Sequence, residues 1–207
     1  GIWPILYSFF KADGNLDRDA MRQQIQCCLA LNIQGLAVLG LATEINKLSQ
    51  DEQLNILRWS MEDLEGRLPL AVTVSGPDAS TQIEFAKEAS DLGASWLIIQ
   101  PPSRPTLDEE ECFEHFSEVM NSINLPVAIQ NAPEYLGVGL SATKILELKR
   151  RHSNFQLLKG EGSAVDVEQL VQDLKGRMRV FNGRGGIELV DSLRAGCAGL
   201  IPAPELV

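Results

Sequence analysis

Metal-ligating and redox side chains are scarce in this chain. It has two histidines, His115 and His152, and four cysteines, with no CxxC or Cys/His ligand spacing among them. Neither a zinc site nor a dithiol redox centre is therefore expected. Cys27 and Cys28 are neighbours inside a helical pattern, so their thiols point in different directions. With Cys112 and Cys197 they are expected to be free thiols in a reducing compartment. Basic residues are outnumbered, 18 Lys and Arg against 28 Asp and Glu, for a net charge of −10. That balance speaks against nucleic acid as a partner. The one basic run, Lys149–Arg151, falls near the end of a predicted helix, where cations suit the dipole. No apolar run approaches membrane-spanning length, so no membrane partner is expected. The apolar start, Ile2 to Phe10, has neither a basic n-region nor a small-residue cleavage site, so it reads as a strand and the expected compartment is the cytoplasm.

What the chain does have is a regular alternation. Its 207 residues, 44% hydrophobic and 22% charged, can bury one large core or two small ones. Short apolar runs read as buried strands at Trp3–Phe9, Gly35–Leu39, Leu70–Val74, Trp96–Ile99, Val127–Gln130, Gln156–Lys159, Arg179–Phe181 and Gly199–Ile201. Helical stripes lie between them. Met21, Ile25, Cys28 and Leu29 share one face, and so do Leu54, Leu57, Met61 and Leu64, behind a capping box at Ser49 and Glu52. Phe113, Phe116, Met120 and Ile123 mark another helix; the acids Asp108–Glu111 before it suit a helix N-terminus better than a metal cluster. Val167, Leu170, Val171 and Leu174 stripe a later helix, and Ile187, Val190 and Leu193 the last.

Strands each followed by a helix predict a parallel sheet covered by helices. The expected fold is an α/β (β/α)₈ barrel, with an open doubly wound sheet as the alternative. No linker or composition shift divides the chain, so residues 1–207 read as one barrel domain. The sequence ends at Leu206 and Val207 just past the eighth strand, and the helix that should cover that strand is missing. A longer parent protein is expected, because the uncovered flank would expose apolar surface.

Barrel chemistry lies at the C-terminal ends of the strands. Lys159 stands there, at the end of the apolar run Phe155–Leu158 and before a glycine-rich turn. Desolvation disfavours an ammonium, and a lysine with a lowered pKa is a nucleophile that forms Schiff bases with carbonyl compounds. The bland alternative is a strand-end lysine snorkelling to solvent. If the chain stays extended past Lys159, Glu161 falls on the same face. It is then either a proton carrier or the partner in a structural ion pair. The loop Gly183–Gly186 with Arg184 is a substrate contact, or in a rival reading a phosphate site. His115 and His152 lie in or beside helices and receive no catalytic role.

The motifs together resemble the dihydrodipicolinate synthase / N-acetylneuraminate lyase family of class I aldolases. Phe10–Asp17 resembles the opening after strand one. Gly40–Ser49 falls where the family has Gly-Thr-Thr-Gly-Glu and ends in the same Leu-Ser. Ile99–Pro102 resembles the strand-four exit. Asn131–Pro133 with Gly137 and Val138 resembles the Tyr-Asn-x-Pro segment, and Lys159 falls on the Schiff-base lysine. The resemblance implies a barrel in which lysine condenses with pyruvate or a related 2-oxo acid, without metal or cofactor, in a homo-oligomer (tetramer or dimer) when full length. It assigns catalysis to Lys159, with Glu161 as proton carrier. Substrate binding falls to the turn Leu41, Ala42 and Thr43, to Gln130, Asn131 and Arg184, and to Ile201 at the end of the last strand. Three departures stand out. The family's proton-relaying tyrosine is Gln130 here, an arginine used by some members falls at Tyr135, and the two threonines become Leu41 and Ala42, with Thr43 in the glycine's place. An amide cannot donate and recover a proton near neutral pH, so Tyr7 is a second relay candidate. These departures point away from dihydrodipicolinate synthesis itself, toward another 2-oxo acid or a sugar-acid derivative. A catalytically silent metabolite-binding barrel is the alternative function.

Overall fold

The computed structural model of the chain describes residues 1–104 and 106–202, the side chain of Ile187 excepted. Seven strands are all parallel and lie in chain order: β1 Leu36–Val38, β2 Leu70–Val74, β3 Trp96–Ile99, β4 Val127–Asn131, β5 Phe155–Gly160, β6 Arg179–Asn182 and β7 Gly199–Leu200. The helices are α1 Arg18–Leu29, α2 Gln50–Leu64, α3 Ala79–Asp91, α4 Glu109–Asn121, α5 Pro133–Leu136, α6 Ala142–Arg151, α7 Ala164–Leu174 and α8 Leu189–Arg194.

The first segment closes the sheet. Ile2 bridges Leu200 and Ile5 bridges Ala37, both in parallel. The Trp3 N–H donates to the Leu200 carbonyl at 2.9 Å and the Leu6 N–H to that of Ala37 at 2.8 Å. The expected strand Trp3–Phe9 is thus a shorter stave that joins β7 to β1. Pro4 has no N–H to give to a ladder, and beyond Leu6 the chain turns outward until Phe9 and Phe10 are exposed. The fold is the expected barrel, not the open sheet.

Each strand is buried on both faces, as parallel strands under helices are. Leu36, Val38, Leu70, Val72, Leu97, Ile99, Val127 and Ile129 face the helices and meet the predicted stripes of α1, α2, α4 and α7. Each fully buried Leu or Phe there contributes about 1.5–3 kcal/mol. The alternate residues fill the interior: Ile5, Ala37, Ala71, Trp96, Ile98, Ala128, Leu157, Phe181 and Ile201. Trp3 closes the N-terminal end, its ring edge-on to Trp96 at 5.1 Å between centroids.

The helix starts follow their sequence signals. The Ser49 N–H donates to the Glu52 carboxylate at 2.8 Å. Asp108 caps α4, whose first turn carries Glu109, Glu110 and Glu111; among the described residues no group of three His, Cys, Asp or Glu side chains is disposed to hold a metal. The Lys149–Arg151 run ends α6, as expected. The last helix differs from expectation. α8 is six residues long, and Val190 and Leu193 are 55% and 49% exposed. Its orientation is set by a buried hydrogen bond, the Asn182 amide donating to the Ser192 hydroxyl at 2.9 Å. At about 100° per residue that bond turns Val190 and Leu193 away from the sheet. The expected end of the chain at Leu206 and Val207 lies outside the described residues. No described helix is long and apolar enough to cross a membrane.

α1 and α2 are tied by one buried carboxylate. Arg18 grips both oxygens of Asp63, through Nη1 on Oδ2 and through Nη2 on Oδ1 at 2.8 Å, and Arg22 Nε adds a third bond at 3.2 Å. Burial pushes the Asp63 pKa up, but the hydrogen bonds and charges of the two arginines outweigh it and hold the carboxyl below its ordinary value. A depressed folded pKa means stability that is present above the unfolded value and lost as pH falls through the folded one. Asp63→Asn is expected to cost about 2 kcal/mol at neutral pH and to flatten the acid limb of stability. Urea midpoints measured from pH 7 down to pH 3 check this.

Candidate active site

β4 and β5 end together. Their register pairs Gln130 with Lys159 and Asn131 with Gly160, and the next pairing sets Lys159 beside Phe181 of β6. Leu157 and Phe181 face the barrel interior, so Lys159, two residues beyond Leu157, faces it too. Its side chain is 1% exposed. Burial lowers the lysine pKa below its ordinary value, and the neighbouring Glu161 opposes that shift without cancelling it. The extended backbone does persist past Lys159, and Glu161 lies on the same face, with Oε2 3.3 Å from Nζ and 10% exposure.

Glu161 is held from the β4 side as well. The Gln130 amide donates to Glu161 Oε2 at 2.7 Å, and Gln130 Oε1 accepts from Gln100 Nε2 at 2.9 Å. Gln100 directly follows β3, and its role was not visible in the sequence; only its place at a strand end could have pointed to it. Gly183 was read as part of a substrate-contact loop, but its steric role was not visible in the sequence either. A Cβ there would stand 2.7 Å from Glu161 Cδ and 2.8 Å from Lys159 Cε, so the pair occupies the space that a side chain would need.

The remaining candidates are placed as follows. Leu41, Ala42 and Thr43 form a single 3₁₀ turn after β1, entered through the buried Leu39 in the left-handed region at φ 62°. Such a residue persists only where its surroundings over-determine it. The Thr43 hydroxyl donates to the Leu6 carbonyl at 2.6 Å and accepts from the Gly40 N–H at 3.2 Å, so it holds the turn itself. The first amides of a helical turn have no intrahelical acceptor, which leaves the Leu41 and Ala42 N–H groups as the turn's donors. Asn131 is clamped on Leu140: its amide donates to the carbonyl at 3.1 Å, and its oxygen accepts the N–H at 2.7 Å. Ile201 is buried in the barrel interior. Arg184 lies farther out, ion-paired with Glu188 at 3.6 Å. The Tyr7 ring lies edge-on to Phe9, 6.3 Å between centroids, and Tyr135 is exposed. Glu44 pairs with Lys47. The histidines serve the helix layer. His115 bonds Gln82 at 3.0 Å, and burial pushes its pKa down to about 4, while His152 bonds Ser117 at 2.8 Å.

The sequence pattern of the dihydrodipicolinate synthetase family matches this chain from residue 1 to residue 205. The chain belongs to that family. It is 29% identical to the 4-hydroxy-tetrahydrodipicolinate synthase of Streptococcus mutans serotype c over 195 residues, 93% of this chain and 65% of that protein. The crystal structure of YagE, a prophage protein of this family from E. coli K12 in complex with pyruvate, superposes with a TM-score of 0.92 at 26% identity. It covers 99% of this chain and 70% of YagE. The 4-hydroxy-tetrahydrodipicolinate synthase of Methylacidiphilum fumariolicum SolV gives 0.91 at 25% identity, over 99% of this chain and 68% of that one. Against the synthase of Alkaliphilus oremlandii the chain spans 59% of the relative's length.

Within this dihydrodipicolinate synthetase family member, glycine at 183 is a steric requirement of the Lys159–Glu161 pair. An added methyl meets the mobile ends of two side chains and not backbone, so the barrel survives while the pair is displaced. Gly183→Ala is expected to cost only about 1 kcal/mol in unfolding free energy. It should also push the lysine toward the mouth, returning its titration toward the ordinary lysine value. Denaturant midpoints together with NMR titration of the Lys159 side chain test both parts.

Proposed function

We propose that this chain is the barrel of a Schiff-base-forming lyase of the class I aldolase type, acting on pyruvate or a related 2-oxo acid. The observation that carries the reading is the burial of Lys159 at the end of β5 beside Glu161. A desolvated amine with a lowered pKa holds a larger neutral fraction near pH 7, and only the neutral amine attacks a carbonyl. The pyruvate complex of YagE, with its close structural likeness, supports the choice of substrate class.

The chemistry follows from the placement. Lys159 Nζ adds to the C2 carbonyl of the 2-oxo acid, the carbinolamine hydroxyl takes up a proton from solvent and leaves as water, and a protonated imine remains. The iminium withdraws electrons. A proton then leaves C3 for the Glu161 carboxylate, its bonding pair becomes the C2–C3 double bond, and the iminium π pair moves onto nitrogen. The resulting enamine attacks an aldehyde carbon to form a carbon–carbon bond, the aldehyde oxygen takes up a proton, and water hydrolyses the restored iminium to free Lys159; the reverse sequence cleaves such a bond. The Leu41–Thr43 turn receives the 2-oxo acid carboxylate through main-chain N–H groups, as anion-binding nests do. Gln130, Asn131 and Ile201 bound the pocket, and Arg184 contacts the outer end of the substrate. The carboxylate of Glu188 beside Arg184 disfavours the phosphate reading of the Gly183–Gly186 loop. The whole protein is read as a cytoplasmic homo-oligomer on its likeness to the family.

Borohydride reduction with a panel of 2-oxo acids, read by intact mass, is expected to add one reduced adduct that Lys159→Ala abolishes. No adduct with any acid, from well-folded protein, would leave the silent metabolite-binding barrel in its place. The pH dependence has a definite sign. Glu161 raises the pKa of Lys159 against the larger lowering by burial, so Glu161→Gln lowers it further. The rising limb of trapping rate against pH is therefore expected to move to lower pH in that variant, measured as initial trapping rates from pH 5 to pH 10.

A further inference from the structure

We propose that Gln100 and Gln130 form an amide relay that positions the Glu161 carboxylate as the group that takes the C3 proton, replacing a hydroxyl relay with a fixed carboxylate. This rests on the lysine–imine reading above and deepens it.

Three glutamines are buried in and beside the barrel: Gln82 on α3, Gln100 after β3 and Gln130 on β4. Burying an amide is costly unless it is fully hydrogen-bonded, and the side chains of Gln100 and Gln130 are bonded in one direction, toward Glu161. Gln82 stands apart from that chain: its Nε2 donates to the main-chain carbonyls of Gly76 and Gln100, each at 3.3 Å, and its Oε1 meets His115 Nε2 at 3.0 Å. The Gln100 side chain donates to Gln130 Oε1 at 2.9 Å, and Gln130 Nε2 donates to Glu161 Oε2 at 2.7 Å. An amide has one accepting and one donating end. With Oε1 occupied by Gln100, Gln130 is oriented to present its N–H₂ to Glu161. Gln100 from one side and the acceptor-only carboxylate from the other therefore hold Gln130 in the same orientation.

The consequence lies in how Glu161 is held. The Gln130 N–H and the Lys159 amine both reach the same oxygen, Oε2. That oxygen is anchored, which leaves Oε1 to take the C3 proton. Gln130 carries no proton itself; it fixes the rotamer of the group that does. Side chains that set a proton carrier within reach of its target contribute through geometry.

Pyruvate is the probe, because its C3 protons exchange with solvent through the enamine. Glu161 takes a proton from C3, trades it for deuterium with D₂O, and returns the deuteron to C3. The net change is one C–H for one C–D and one HDO. Exchange is followed by proton NMR and divided by the imine trapped with borohydride under the same conditions. Exchange per imine is expected to fall about a hundredfold in Gln130→Met and to a similar extent in Glu161→Gln. Gln100→Met, which leaves Gln130 in place, is expected to fall about tenfold, and Gln100→Met/Gln130→Met no further than Gln130→Met alone, because members of one relay are not additive. A merely structural glutamine would lower both signals together and leave their ratio in place. Wild-type ratios in the folded Gln130→Met or Glu161→Gln variants, or losses that multiply in the double variant, would overturn the relay while the imine reading stands. Absence of trapped imine in the wild-type chain would overturn the imine reading and the relay with it.

Discussion

A single amine taken out of water governs the arrangement of this barrel's mouth. Lys159 sits where the interior of the sheet ends, with apolar Leu157 below it and Phe181 beside it on the neighbouring strand. An ammonium there is costly, and the pair with Glu161 recovers only part of that cost. The surrounding choices follow from it. Glycine at 183 leaves room for the pair, and Gln130 satisfies the carboxylate from the adjacent strand. The closed sheet excludes the water that would otherwise solvate the charge. Lys159 is tuned by desolvation first and by its neighbour second. That order matters, because a lysine dominated by a carboxylate partner would remain an ammonium and attack nothing.

Much of the fold was legible because parallel strands buried on both faces are written as short continuous apolar runs. β2 and β3 coincide with their predicted limits, and β4 to β6 differ by a residue at one end or both. The first stave was overread: apolar character extends to Phe10, but Pro4 and the outward turn after Leu6 limit its pairing to bridges. The face of α8 was misjudged for a different reason. Periodicity identifies a stripe but not what it faces, and a polar anchor, Ser192 on Asn182, overrides Val190 and Leu193 in a helix of six.

The site was legible in part. Lys159 and Glu161 follow from strand-end position and period-two alternation, both local properties of one strand. Asn131 and Thr43 were placed at the right strand ends, yet their polar atoms bond the main chain of Leu140 and Leu6. A polar residue near a site is visible in sequence; whether its hydrogen bonds are already used is not. Gln100 and Gly183 depend on inter-strand register, a non-local property. The family match covers residues 1–205, and within it Gln130 is a buried amide, a group that can hold an orientation but cannot donate and recover a proton near neutral pH.

The contact at Gly183 also constrains how this sequence can drift. The space a side chain at 183 would need is filled by the Glu161 carboxylate and the last carbons of Lys159. Substitution at either of two positions far apart in the chain therefore changes what the other tolerates. Shortening Glu161 would open position 183 to a small side chain, whereas bulk at 183 would select against a long carboxylate at 161. Related sequences that keep the lysine should vary these two positions together, glycine travelling with the long acid.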